Sequence, residues 1–198
     1  MDIQTVNNSR FFVGIVPPQP LKEAILQATK PYRQRLHGFR WLSAQTYHIT
    51  PRFFGHLTAD EAPVLVDQLN RIAALFQPFT LQLTQWGGFP NLRRPRVLWL
   101  GVGGKSASLL TNFAAEMGGI SPTSDNHKPF YPHLSVARSR SPLPLCATKL
   151  SQAPVPDLPW QVEQFHLIRS TLDGQGTHYK TVATFSLGAP STQEKGGD

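Results

Sequence analysis

Two short stretches carry the residue types from which chemistry can be built: Tyr47-His48-Ile49-Thr50-Pro51-Arg52-Phe53-Phe54-Gly55 and Pro132-His133-Leu134-Ser135-Val136-Ala137-Arg138. Each sets a histidine two residues before a hydroxyl, inside an apolar, strand-like run. Successive side chains of a strand alternate between its faces, so His48 and Thr50 share one face, as do His133 and Ser135. Two imidazole and hydroxyl pairs facing each other across a cleft can hold a phosphate by its oxygens while one ring takes a proton and the other gives one. That opens a phosphodiester without a metal. A lone histidine in an apolar strand is ordinarily a core residue with a satisfied hydrogen bond. Repetition of the tripeptide, with no cysteine nearby and few carboxylates, favours shared chemistry.

The elements that must position these pairs can be read along the chain. Arg10 to Val16 is a largely buried strand ended by Pro17-Pro18, and Leu21, Ala24, Ile25 and Ala28 recur at helical spacing up to Pro31, which should break or kink the helix. In the first motif strand Arg52 falls, by alternation, on the face of His48 and Thr50. Pro51 has no N–H for a ladder, so the strand should be bulged or unpaired there. Thr58 and Glu61 form a capping box ahead of a helix carrying Leu65, Leu69, Ile72, Ala73 and Phe76. Phe79 to Thr84 alternates as one strand, Trp86 to Pro95 reads as a loop with an arginine-rich lip, and Arg96 to Val102 returns antiparallel.

A helix follows from about Ser106 to Met117, with Leu109, Leu110, Phe113 and Ala114 inward, stopping at Gly118-Gly119. Proline at 142, 144, 154, 156 and 159 makes residues 141–159 a structured loop. Trp160 to Leu172 and Tyr179 to Leu187 then form a hairpin turning at Asp173-Gly174. Strands and helices mix without regular β-α-β alternation, which points to an α+β protein with two antiparallel sheets meeting at a cleft. Residues 1–188 are expected to form a single bilobal domain and residues 189–198 a disordered tail.

A chain of 198 residues, 40% of them hydrophobic, can bury a substantial core. The net charge of +7 and pI near 9.9 favour polyanionic partners such as RNA. A single cysteine, Cys146, excludes an internal disulfide and a cysteine-rich zinc site. The start has no basic region followed by a long apolar stretch, and no apolar run approaches the ~20 residues of a membrane span. The expectation is a soluble, cytoplasmic monomer.

These blocks resemble the two-histidine phosphoesterase superfamily, and most closely its bacterial 2′-5′ RNA ligase or RNA 2′,3′-cyclic phosphodiesterase branch. The likeness rests on Arg10-Phe11-Phe12-Val13, Trp41 to Gly55, Arg96 to Gly101, Phe130 to Arg138, and Ser170-Thr171-Leu172 with Gly176 and Tyr179. It implies two lobes related by a pseudo-twofold axis, helices packed outside, and one motif from each lobe lining a central cleft. It further implies hydrolysis of an RNA 2′,3′-cyclic phosphate to a 2′-phosphate without metal or cofactor. His133 would be the base, His48 the acid, and Thr50 and Ser135 donors to the non-bridging oxygens. Reaction with a 5′-hydroxyl in place of water would make a 2′-5′ linkage.

Arg52, Arg138, Phe11 and Tyr131 are candidate substrate contacts, with Phe11 as a ring on which a base could stack. Arg138 matches an arginine frequent in relatives, yet its odd offset from His133 places it on the far face unless the strand bulges. Tyr131 and Tyr179 could both reach the cleft, but core or rim fits each of them better. Three rivals stay open: another cyclic-phosphate nucleotide as substrate, a non-catalytic RNA-binding module, and a zinc hydrolase built on His48, His56, His127 and His133. The last lacks closely spaced histidines on a helix and a carboxylate ligand nearby.

Overall fold

In the computed structural model the described residues are 9–103, 105–120, 130–174 and 176–188. The leader, the 121–129 stretch with His127, and the tail from 189 lie outside them. Ten strands and four α-helices follow in the order β1 (Ser9–Ile15), α1 (Gln19–Arg33), β2 (Arg40–Trp41), β3 (Ile49–Gly55), α2 (Glu61–Leu75), β4 (Phe79–Leu81), β5 (Leu83–Phe89), β6 (Val97–Val102), α3 (Lys105–Glu116), β7 (His133–Arg138), α4 (Ala147–Ser151), β8 (Trp160–Val162), β9 (Gln164–Asp173) and β10 (Gly176–Ser186). Among these residues no helix is long and apolar enough to cross a membrane.

The α+β architecture is built on two antiparallel wings. One runs β10-β9-β1-β3 and the other β7-β6-β5, with β2 added to β7; β4 and β8 form a separate small sheet. The wings meet at a single pair, Ile49 opposite Leu134. Both residues are fully buried. They belong to one continuous core with Val13 and Ile15 of β1, Leu21 and Ile25 of α1, Leu65 and Leu69 of α2, and Leu110 and Phe113 of α3. Burial of these aliphatic faces supplies the main stabilising term, at roughly 25 cal/mol per Å² of apolar surface. The opposite face of the two wings is left for the polar members of the motifs.

Several local expectations are met in detail. The capping box forms, with the Thr58 N–H donating to Glu61 Oε2 at 2.7 Å and the Glu61 N–H to Thr58 Oγ1 at 3.3 Å. The Pro51 bulge forms as well: β1 pairs Val13 with Arg52 and Ile15 with Ile49, leaving one extra residue on β3.

Others are corrected. Pro31 does not end α1, which continues to Arg33; the carbonyl its missing N–H leaves unpaired belongs to the exposed Gln27, within reach of water. Phe79 to Thr84 is not one strand, because the chain changes sheets at Gln82, whose carbonyl accepts from the Gly103 N–H at 3.4 Å. Residues 86–89 are strand, not loop. Leu109 is exposed, and Met117 takes the inward position. The proline-rich loop also holds the five-residue helix α4.

Candidate active site

An antiparallel pair has a local twofold, and here it passes through the middle residues of the two motifs. With Ile49 opposite Leu134, continuing the register places His48 beside Ser135 and Thr50 beside His133. All four point away from the core, and each is half-buried while Ile49 and Leu134 are not exposed at all. The sequence-predicted quartet is therefore brought together on one face.

Both imidazoles are held in the same way. His48 Nδ1 lies 2.7 Å from the Thr46 carbonyl oxygen, and His133 Nδ1 lies 2.7 Å from that of Tyr131. A carbonyl can only accept, so Nδ1 carries the proton in each ring and Nε2 is the nitrogen left for chemistry. Burial above all, with the positive charges of Arg138 and His133 adding to it and the Thr46 carbonyl bond opposing it, lowers the His48 pKa from 6.5 to about 4. His133 is lowered by burial too, and again by Arg138. In the unliganded protein near neutral pH both Nε2 atoms are unprotonated acceptors.

Aromatic rings brace each histidine. Phe12 lies 4.8 Å from the His48 ring, and Tyr179 meets it edge-on at 5.3 Å. Phe89 meets His133 edge-on at 4.9 Å, with Trp99 behind it at 6.0 Å and Tyr131 on Trp99 at 5.0 Å. Phe12, Phe89 and Trp99 were not identified from sequence. Their signal was the strand parity that sets Phe12 opposite Phe53, and Trp99 opposite Ser135.

Phe11, the candidate stacking ring, is buried at 4% exposure with Val13 in the core, on the far side of β1 from the histidines. Tyr131 does stand at the site, 46% exposed, and Tyr179 stands at the rim at 39%.

The two candidate arginines exchange standing because both motif strands bulge. In β7 the pairs Leu98 with Ala137 and Trp99 with Ser135 leave Val136 as an extra residue, three positions after His133. Pro51 occupies the same position after His48. The bulge in β7 returns Arg138 to the histidine face, where its charge acts on both rings. The bulge in β3 does the reverse to Arg52. It pairs with the core-facing Val13, while Phe53 pairs with Phe12 on the histidine side. Simple alternation from Thr50 thus misplaces Arg52 on the strand, although its side chain lines the same cavity as His133 and Arg138. That cavity, of about 1170 Å³, is lined also by Thr50, Phe89 and Tyr131.

Among the described residues no three His, Cys, Asp or Glu side chains come together as metal ligands. His127 of the zinc alternative lies outside them.

The chain is similar to known proteins in both sequence and fold. The model of the family described as LigT like phosphoesterase matches residues 15–99, which include the first motif. An RNA 2′,3′-cyclic phosphodiesterase of Aquifex aeolicus is 32% identical over 90% of this chain and 97% of its own length. The chain belongs to the LigT-like phosphoesterases, within the two-histidine superfamily. Another relative of this family, an RNA 2′,3′-cyclic phosphodiesterase of Thermus thermophilus, is 29% identical over 90% of each chain. A Thermus thermophilus crystal structure superposes with a TM-score of 0.76 at 27% identity, covering 90% of this chain and 98% of that one. Escherichia coli LigT shares the fold at a TM-score of 0.69, covering 91% and 98%.

Proposed function

We propose that this LigT-like phosphoesterase hydrolyses RNA 2′,3′-cyclic phosphate ends to 2′-phosphomonoesters by acid and base catalysis with two histidines. The observation that carries the reading is the Ile49 to Leu134 pairing, which sets two imidazoles and two hydroxyls around one point. Relatives named RNA 2′,3′-cyclic phosphodiesterase supply the substrate class.

In the proposed step His133 Nε2 takes a proton from water as its oxygen bonds to phosphorus. The P–O3′ bond breaks, and His48 Nε2–H gives its proton to the departing 3′-oxygen. Thr50 and Ser135 hydroxyls donate to the two non-bridging oxygens, where charge builds as phosphorus becomes five-coordinate. Arg138 offsets the phosphate charge. A proton on His48 is unfavourable in the empty site, and the anionic substrate between the rings reverses that balance, so acid and substrate arrive together. With a 5′-hydroxyl as the nucleophile in place of water, the same P–O3′ cleavage forms a 2′-5′ linkage.

The test is incubation, in EDTA, with a short RNA ending in a 2′,3′-cyclic phosphate, followed by identification of the product isomer. Wild type should yield the 2′-phosphate, and His48→Ala and His133→Ala should each lose about 10²–10⁴ in rate. A 3′-phosphate product, inhibition by EDTA, or activity surviving either substitution would overturn the mechanism.

A further inference from the structure

We propose that the RNA strand 5′ to the cyclic end leaves the cleft over the second lobe, its phosphates lying on Arg40 and Arg96 beside Arg138. This rests on the function proposed above and adds a direction to it. A cyclic phosphate is the 3′ terminus of its strand, so every other nucleotide lies to one side and must exit across one lobe.

The two lobes differ in charge. The chain has no Asp or Glu at 24–59, 68–115 or 126–156, from which all of the second wing (β2, β5, β6 and β7) comes, whereas of the first wing only β3 does. On the histidine face the first wing presents Arg10 opposite Ser170; its Arg169 and Lys180 sit opposite each other on the Phe11 side of the sheet, and its outer hairpin ends in Asp173, which pairs with His178 at 3.1 Å.

On the second wing Arg40 and Arg138 sit directly opposite each other where β2 pairs with β7. Like charges in that position destabilise a sheet. Arg138 is flanked on its other side by Val97, next to Arg96. The Ser139 N–H donates to the Arg96 carbonyl at 2.8 Å, tying the β5–β6 loop to this edge. All three guanidinium groups belong to exposed residues, and none has an ion-pair partner among the described residues. Arg96 and Arg138 line the cavity that reaches His133. A row of unpaired arginines leading from the catalytic histidine, with no carboxylate in the strands that carry it, matches a run of phosphates.

The experiment compares kcat/KM for 2′,3′-cyclic AMP and for an oligoadenylate with a 2′,3′-cyclic end, across a KCl series, in wild type, Arg40→Gln/Arg96→Gln and Arg10→Gln. Wild type should prefer the oligomer. The double variant should lose about tenfold of that preference, with cyclic AMP turnover within about twofold of wild type. Its log–log salt slope should flatten by about 1.4, the value for two lost single-strand phosphate contacts. Wild type without an oligomer preference, an unchanged preference in the double variant, an equal loss on both substrates, or loss of preference in Arg10→Gln instead would overturn the inference. Turnover of neither substrate by wild type would remove the functional reading, and the inference with it.

Discussion

Replacing Gly87 with alanine tests whether the aromatic wall behind His133 is part of the site. Gly87 of β5 lies opposite Trp99 of β6, and a Cβ there would stand 2.0 to 2.3 Å from three carbons of the indole. Carbon atoms pack at about 3.5–4.0 Å, so the ring would have to retreat by about 1.5 Å. Little room is available. Trp99 is 5% exposed, and the ring packs on Phe89 at 5.3 Å and Tyr131 at 5.0 Å. Overpacking of this kind costs about 1–3 kcal/mol, and relief of the glycine entropy returns about 0.5–1 kcal/mol. The net expectation is a loss of about 1–2 kcal/mol in urea unfolding followed by tryptophan fluorescence. Since the displaced ring pushes on the rings that hold His133, a shift of about 1 Å should lower kcat/KM by up to about 10². In a Trp99→Leu background the clash is absent, so Gly87→Ala should cost nothing there. An unchanged stability and rate in Gly87→Ala, or the same loss in both backgrounds, would refute this account.

The pH dependence follows from the direction of the histidine shifts. Both rings in the free protein are lowered from 6.5 by burial, His48 to about 4, so the singly protonated pair becomes scarce as pH rises. kcat/KM for the cyclic substrate should therefore decline from well below pH 6.5, while kcat, set by the substrate-bound pair, should hold to higher pH; a kcat/KM flat up to pH 8 would contradict the reading. Thr50→Val and Ser135→Ala should each lower kcat by about 10²–10³, as expected for loss of one donor to developing charge, and steady-state kinetics showing only a KM effect would argue against that role. Arg138→Gln should raise KM for cyclic AMP severalfold while Arg52→Gln leaves it near wild type; the opposite ranking would mean that the bulges do not set the faces as described.

Much of the candidate site was legible because the motif repeats. His48, Thr50, His133 and Ser135 are separated by buried residues, and strict alternation over three residues needs no tertiary knowledge. Beyond three residues alternation fails, since each motif strand inserts an extra residue at the next core position. Pro51 marks its bulge by lacking an N–H. Val136 carries no such mark, and its bulge is visible only in the pairing with β6. The same limit misassigned Phe11 and Phe12, adjacent rings of which one faces the core and one the histidine. Gly87 and Gly88 read as loop because glycine punctuates turns. In β5, Gly87 instead clears space for an indole, a need set by Trp99 twelve residues later and across a strand pair.

A symmetric frame with unequal furnishing explains how near-equivalent histidines can have separate tasks. The fifth residue after His48 is Phe53, stacked on Phe12 at 6.3 Å, and the fifth after His133 is Arg138. Both positions are turned to the histidine face by a bulge two residues before. The first lobe therefore backs its imidazole with apolar rings, and the second sets a guanidinium beside its own. Charge from Arg138 disfavours a proton on either ring; in the proposed mechanism this would couple loading of the acid to arrival of the phosphate. If the strand also exits over the arginines, phosphate charge concentrates on the second lobe, and the terminal nucleoside lies toward Phe12 and Tyr179. Direction in this site would then come from what the lobes carry at matched positions, since the backbone offers both histidines the same carbonyl, the same strand and the same neighbour.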